Sequence, residues 1–158
     1  MSIYSLGPKF LYTTPYTTLL YSQPDDRIAI SNHNHCVVII DDEVDLLFVY
    51  KKALEMSGLT VSAFEDPLKA LEEFKTNFSK YILVMTDIRM PNMNGYELIN
   101  EFKKINPVIM VILITAHNVS KSFITSKLTD GIVIDEFIEK PVSLERLNQA
   151  VQAIIKNS

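Results

Sequence analysis

The chain has 158 residues, enough for one domain with a hydrophobic core and too few for two domains of ordinary size. Hydrophobic residues make up 47% and charged residues 22%, a composition typical of globular proteins rather than disordered or fibrous ones. The net charge of −4 leaves no excess of basic side chains to neutralise phosphates, so we expect no direct binding to nucleic acid.

Residues 1–34 mix Tyr, Thr and Pro without the periodicity of a helix or a strand. We interpret this segment as an N-terminal extension and expect it to be flexible, although its aromatic side chains leave packing on the domain or on a second copy as an alternative. Thr and Pro interrupt its apolar residues, which excludes a secretory signal peptide. His33 and His35 are too few ligands to predict a metal site.

Cys36 is the single cysteine, so an intrachain disulfide is impossible and a reducing, cytoplasmic setting is expected. It begins the first of several short apolar runs. The longest run, residues 108–114, is far shorter than the ~20 residues that span a bilayer, so we expect no membrane insertion.

Short apolar runs alternate with longer amphipathic segments from residue 36 onward. The apolar runs predict strands at residues 36–40, 59–64, 81–86, 108–115 and 136–138. The segments between and after them have helical spacing at residues 41–58, 66–77, 96–105, 118–130 and 144–154. Because parallel strands need covering crossover connections, this alternation predicts a parallel sheet with helices on both faces.

The first predicted helix has a core face of five residues: Leu46, Val49, Tyr50, Ala53 and Leu54. Leu47 and Phe48 then fall outside this face, where they could contact the helices of a partner protein or pack under the N-terminal extension. Gly58 is expected to end the helix in a left-handed conformation. The fourth helix is the weakest prediction because it is rich in Ser, Thr and β-branched residues.

Polar residues follow four of the predicted strands: Asp41 and Asp42, then Asp87, Thr115 and Lys140. The carboxyl ends of parallel strands lie at one edge of a sheet, where ligands bind, so we expect these side chains to converge. Each residue alone would be interpreted as a helix cap, a strand residue or a surface lysine. Five such residues at one edge indicate a functional site instead.

Three carboxylates at this edge would repel one another by ~1–4 kcal/mol per pair at 4 Å. An oxygen-seeking divalent cation would remove that cost, and Mg²⁺ suits a site with few carboxylates, with Mn²⁺ as an alternative. Lys140 could meet an added anion, and Thr115 offers a hydroxyl donor. Asp87, which we expect to be exposed at the loop crest, could then attack phosphorus and form an acyl phosphate.

Four motifs, taken in this order, resemble the receiver domain of two-component response regulators. They are IIDDE at 39–43, VMTDIRMPNMNGYEL at 84–98, ILITA at 112–116 and FIEKP at 137–141. The resemblance covers residues 36 to about 156, so we assign the receiver domain to residues 35–158. It implies an α/β flavodoxin-like, doubly wound fold, with a five-stranded parallel sheet of order 2-1-3-4-5 and helices on both faces.

The resemblance also implies residue roles around the acceptor. Asp87 corresponds to the phosphoacceptor, which also binds the metal. Asp42 corresponds to a direct Mg²⁺ ligand, and Asp41 to a ligand that acts through water. The backbone carbonyl of Arg89 completes the implied metal ligands, while the side chains of Arg89 and His117 are expected to tune hydrolysis of the acyl phosphate.

Other matched positions concern switching and backbone shape. Thr115 and Phe137 correspond to the paired switch residues, and Lys140 to the lysine that binds the phosphoryl group. A cis bond is expected between Lys140 and Pro141. Gly95 matches a glycine for which we expect a left-handed backbone.

By this resemblance the protein is a phosphoacceptor that receives its phosphoryl group from a histidine kinase phosphohistidine or a phosphotransfer protein. It would switch a downstream protein through the fourth helix, fifth strand and fifth helix, and catalyse only its own Mg²⁺-dependent phosphorylation and dephosphorylation. The helices of the kinase could contact Leu47 and Phe48. The chain ends about where a receiver ends, which favours a stand-alone receiver, monomeric or weakly dimeric. The region at 118–136 is longer than usual for the family.

Two alternatives remain open at this stage. A receiver-like interaction module could have lost phosphorylation while keeping the fold. A phosphatase with an aspartyl nucleophile is the other, but such enzymes typically have a second Asp two positions on, where this chain has Arg89. A nucleotide-binding flavodoxin-like protein is disfavoured because no Gly-rich phosphate loop follows the first strand.

Overall fold

The computed structural model describes residues 11–14, 17–20, 36–116 and 120–156. The chain divides into two compact units, residues 1–34 and 35–158, which are described separately. In the first unit, strands β1 (Leu11–Thr14) and β2 (Thr17–Leu20) pair in antiparallel register. The sequence did not predict these two strands, and the expected flexibility of the segment stays a prediction.

The second unit contains a parallel sheet of five strands. They are β3 (Cys36–Ile40), β4 (Thr60–Phe64), β5 (Tyr81–Asp87), β6 (Met110–Thr115) and β7 (Glu136–Glu139). The spatial order β4-β3-β5-β6-β7 is the predicted order 2-1-3-4-5, and every pairing is parallel. The flavodoxin-like fold class is therefore confirmed.

Among residues 36–116 and 120–156, five α-helices connect the strands or follow the last one. They are α1 (Val44–Met56), α2 (Pro67–Asn77), α3 (Gly95–Ile105), α4 (Lys121–Thr125) and α5 (Leu144–Lys156). As predicted, Gly58 follows α1 with a left-handed φ of 86°. The amides of Gly58 and Leu59 donate to Glu55 and Leu54, a pattern that satisfies the last carbonyls of α1. None of the described helices is long and apolar enough to cross a membrane.

Two hydrophobic clusters lie on opposite faces of the sheet. Val38 and Ile40 of β3 pack with α2, α3 and α4, whereas Val37 and Ile39 pack with α1 and α5. All four side chains are buried, which explains why β3 is apolar without alternation. Burial of each such side chain contributes about 1.5–3 kcal/mol.

The core face of α1 differs from the sequence prediction. Leu47 is buried at 7% exposure, whereas Val49 is 41% exposed, so the assignments of Leu47 to the outside and of Val49 to the core were wrong. The buried stripe passes through Leu47, Tyr50 and Leu54, a spacing of three and four residues. Phe48 is 61% exposed, as predicted.

Within residues 120–135, the long region before β7 has one short helix. Helix α4 ends at Thr125, well before residue 130 where we expected it to end, and its first turn is capped by the Ser120 hydroxyl. Further along, Ile132 and Ile134 pack against the core. The Asp135 carboxylate accepts a 2.7 Å hydrogen bond from the Val111 amide, which joins this segment to the start of β6.

Gly95 is required by a close approach and not by a left-handed backbone. Its amide donates to the Ile88 carbonyl at 2.9 Å, and a Cβ here would overlap the carbonyl oxygen of Asp87. The left-handed residue of this loop is Asn92, with φ of 67°. The prediction of a left-handed backbone at Gly95 was therefore wrong. The contact between α3 and the end of β5 that requires a glycine has no signal in the sequence.

We expect Gly95→Ala to lower the free energy of unfolding by about 1–3 kcal/mol, since the added methyl group must displace backbone next to Asp87. Asn92→Gly in the same loop is the control, with an expected change below about 1 kcal/mol because glycine accepts the left-handed backbone. Urea denaturation measures both values. Equal, small changes would contradict the close-approach explanation.

Candidate functional site

Asp41 directly follows β3 and is completely buried. Its amide donates to the Phe64 carbonyl at 3.2 Å, which continues the ladder between β3 and β4 by one residue. Its Oδ1 accepts a 2.9 Å hydrogen bond from the Glu43 amide. Burial raises the pKa of the Asp41 carboxyl, an effect that the hydrogen bond from the Glu43 amide and the nearby Lys140 ammonium only partly oppose.

Asp87 is the last residue of β5 and is only 7% exposed. The expectation of an exposed acid at the loop crest was therefore wrong, because β5 extends one residue further than the predicted strand. The Ile88 amide donates to Asp87 Oδ1 at 2.6 Å, which fixes one side of the carboxylate. Its Oδ2 is the oxygen that meets Lys140.

Lys140 follows β7, and its amide donates to the Thr115 carbonyl at 2.8 Å. Its bond to Pro141 is cis, as predicted. The Lys140 ammonium donates to Glu43 Oε1 at 2.8 Å and to Asp87 Oδ2 at 2.9 Å. Burial lowers the pKa of Lys140, but the hydrogen bonds to Asp87 and Glu43 and the nearby Asp charges outweigh it, so the pKa lies above its ordinary value.

The third carboxylate of the cluster belongs to Glu43, not to Asp42. Oxygen atoms of Asp41, Glu43 and Asp87 lie within 4.8 Å of one another. Asp42 is exposed and is not part of this group. The chain bends at Asp42, and the Glu43 amide donates to Asp41 Oδ1, so Glu43 joins Asp41 at the site while Asp42 is exposed. Sequence reasoning missed Glu43, because the bend at Asp42 has no local signal in the sequence.

Asp41 Oδ2 makes the arrangement suitable for a cation. It lies 3.1 Å from Lys140 Nζ but accepts no well-directed hydrogen bond, alone in this respect among buried side-chain oxygens of the described residues. A buried carboxylate oxygen with spare acceptor capacity, beside two more carboxylates, is the oxygen-rich donor set that hard divalent cations prefer. The residues present therefore fit Mg²⁺.

The predicted switch residues lie next to the cluster. Thr115 is buried, and its hydroxyl donates to the Ala116 carbonyl at 3.1 Å rather than to a carboxylate of the cluster. Phe137 is half-buried and packs against the core. A groove of about 450 Å³ is lined by Thr115, Ile124, Phe137 and Arg146, among others. The switching roles of Thr115 and Phe137 stay predictions.

The predicted rate-tuning residues are only partly described. Arg89 is exposed and lines an open cleft of about 450 Å³ together with Glu43, Ala116 and Lys140. Its amide lies 3.5 Å from Asp87 Oδ1. The proposed metal contact of its carbonyl stays a prediction, and His117 lies outside the described residues.

We expect Asp41→Asn to stabilise the protein in a buffer with a metal chelator. Because the pKa of Asp41 is raised, the folded state favours the protonated acid. Ionisation of Asp41 should therefore lower the free energy of unfolding as the pH rises from about 3.9 through the folded pKa. The advantage of Asn over Asp should therefore grow as the pH rises through that window.

Asp42→Asn is the matched control, because Asp42 is adjacent and exposed and its substitution removes the same charge. Urea denaturation of the three proteins between pH 4 and pH 8 measures the difference. A lower stability of Asp41→Asn than of the unchanged protein at pH 7 would show that burial does not dominate at Asp41.

Comparisons with known proteins agree with this architecture. The family model of the response regulator receiver domain matches residues 37–152. The C4-dicarboxylate transport transcriptional regulatory protein DctD of Rhizobium meliloti (strain 1021) is 34% identical over 116 residues, which are 73% of this chain and 24% of that protein. The DNA-binding transcriptional regulator NtrC of Escherichia coli (strain K12) is 27% identical over 121 residues, 77% of this chain and 25% of that protein. The chain thus spans about a quarter of the length of these relatives.

The solved structures that resemble this chain are also receiver domains. A response regulator receiver domain protein from Clostridium thermocellum has a TM-score of 0.69 and 30% identity, covering 78% of this chain and 95% of that chain. A CheY-like receiver domain protein from Methanospirillum hungatei JF-1 has a TM-score of 0.67 and 25% identity, covering 78% and 94%. With its parallel sheet, its acidic edge and the family match over residues 37–152, this chain belongs to the response regulator receiver domain family of two-component systems.

Proposed function

We propose that this receiver domain accepts a phosphoryl group on Asp87 and thereby switches a protein-binding face. The observation that supports this most is the position of Asp87 Oδ2, 2.9 Å from the Lys140 ammonium and beside two further carboxylates. A nucleophilic acid next to a fixed cation and an oxygen-rich cation site is the arrangement that phosphoryl transfer to a carboxylate needs. The donor is a phosphohistidine of a histidine kinase or of a phosphotransfer protein.

In the transfer, a carboxylate oxygen of Asp87 bonds to phosphorus while the bond between phosphorus and the donor nitrogen breaks. The nitrogen keeps the electron pair and takes a proton, and the product is an acyl phosphate on Asp87. The Ile88 amide keeps the Asp87 carboxylate oriented through Oδ1. Lys140 already lies at the carboxylate and can hold a phosphoryl oxygen as negative charge develops there.

Mg²⁺, or Mn²⁺ in its place, would supply positive charge to the phosphoryl oxygens and offset repulsion among the acids. Asp41 and Asp87 are the residues best placed to hold it, with Glu43 beside them. Asp42, exposed at the same edge, and the Arg89 carbonyl remain the predicted further ligands. The protein is then a phosphoacceptor rather than an enzyme that turns over an external substrate.

The added phosphoryl group would carry about −1.5 to −2 charges and three acceptor oxygens. Thr115 can exchange its bond to the Ala116 carbonyl for one to the phosphoryl group, since a hydroxyl rotates freely to a stronger acceptor. Movement at Thr115 would change the wall of the groove that Phe137 also lines, between β7 and α4. This is a population shift that alters the face of α4, β7 and α5 for a downstream protein.

The kinase would approach the carboxyl edge of the sheet, where α1 begins. Val44 and Phe48 of α1 are 56% and 61% exposed, so apolar area is available there for a partner helix. A protein that receives its phosphoryl group from such a kinase would lie in the cytoplasm. Of the two residues predicted to contact a kinase, Phe48 remains available, whereas Leu47 is buried.

Incubation with a small phosphodonor and Mg²⁺ should give one labile adduct of the mass of a phosphoryl group, measured by intact mass spectrometry. Asp87→Asn should abolish the adduct because the nucleophile is lost, and a metal chelator should suppress it in the unchanged protein. Asp66→Asn is the control, since Asp66 is an acid that caps α2 and is not one of the three clustered carboxylates.

Two outcomes would contradict the proposal. An adduct that persists in Asp87→Asn would place the acceptor elsewhere, and no adduct on the unchanged protein would favour an interaction module without phosphorylation. Continuous release of inorganic phosphate from a phosphoester would instead indicate a phosphatase. Adding Asp42→Asn to the series tests the predicted metal role of Asp42, since a higher Mg²⁺ requirement is expected if that residue is a ligand.

A further inference from the structure

Glu43 lies between the end of β3 and the start of α1, with its carboxylate against Lys140. It is the N-cap residue of α1, yet its side chain makes no capping hydrogen bond to the first turn of the helix. Ser, Thr, Asp or Asn at this position would accept a hydrogen bond from one of those amides and stabilise the helix. The Glu43 carboxylate instead accepts a 2.8 Å hydrogen bond from the Lys140 ammonium, a residue 97 positions away in the chain.

The backbone of Glu43 is held toward the cluster as well. Its amide donates to Asp41 Oδ1 at 2.9 Å, so the segment between β3 and α1 is anchored to the buried acid. The side chain of Glu43 is 57% exposed, in contrast to the 10% of Asp87 and the complete burial of Asp41. Glu43 is thus the solvent-side partner of an ammonium whose other two partners lie inside.

An ammonium has three donors; here two of them donate to Glu43 and Asp87, and Asp41 Oδ2 lies 3.1 Å from the same nitrogen. An incoming phosphoryl group has to share the Lys140 ammonium with Glu43, whose negative charge also repels an anionic donor at the cleft that both residues line. Because Glu43 is largely exposed, this effect is modest and screened by salt.

From this geometry we infer that Glu43 is a positioning residue that holds Lys140 back and slows the acceptance of a phosphoryl group on Asp87. The inference rests on the proposed function. Removing the charge of Glu43 leaves the ammonium to Asp41 and Asp87 and lowers the repulsion toward an anionic donor. The rate of acceptance should then rise, and the dependence of that rate on salt should become weaker.

The test compares the initial rate of adduct formation with phosphoramidate at a Mg²⁺ concentration that saturates each variant. Glu43→Gln should accept the phosphoryl group up to about fivefold faster at low salt, with the gain shrinking as salt is added. Glu43→Asp, which keeps the charge, should stay closer to the unchanged protein than Glu43→Gln does.

Glu65→Gln is the matched control, because Glu65 is exposed, directly follows β4 at the same edge and undergoes the same charge change. Equal rates for Glu43→Gln and Glu65→Gln would overturn the inference while leaving Asp87 as acceptor. A slower Glu43→Gln would overturn it too. No labelling of the unchanged protein would overturn the proposed function, and this inference with it.

Discussion

Mutual repulsion among three carboxylates is the constraint on which the site depends. Asp41, Glu43 and Asp87 have oxygens within 4.8 Å of one another, and two of these acids are buried. In the described residues the Lys140 ammonium is the cation that contacts all three. Lys140 offsets only part of the cost of burying these charges, since burial still raises the pKa of Asp41. Such a site favours binding of a further cation and of an anion that can share the ammonium.

The fold brings these residues together from distant parts of the chain. Asp41 follows β3, Asp87 ends β5 and Lys140 follows β7, so the parallel sheet places all three at one edge. The Lys140 amide is tied to Thr115 at the end of β6, which couples the lysine to the predicted switch residue through backbone. Gly95 lets α3 begin directly against the backbone of Asp87.

Much of this could be predicted because it follows from local rules. Continuous apolar runs separated by amphipathic segments indicated the parallel sheet, and polar residues at strand ends indicated its functional edge. The place of Glu43 in the acidic cluster was missed, because it depends on the bend of the backbone at Asp42, just past β3. The core face of α1 was misassigned at Leu47, since the apolar run from Leu46 to Tyr50 fits several faces. The burial of Asp87 and the close approach at Gly95 arise from tertiary contacts that no local pattern shows.

The stability of Lys140→Met in the presence of a metal chelator tests most directly whether one ammonium keeps these acids together. We expect the free energy of unfolding to fall by about 1–3 kcal/mol, because buried carboxylates lose their charged partner. Asp87→Asn in the same chain should recover part of that loss by removing one of the repelling charges. If Lys140→Met were as stable as the unchanged protein, and Asp87→Asn changed nothing in that background, the account of the site would be contradicted.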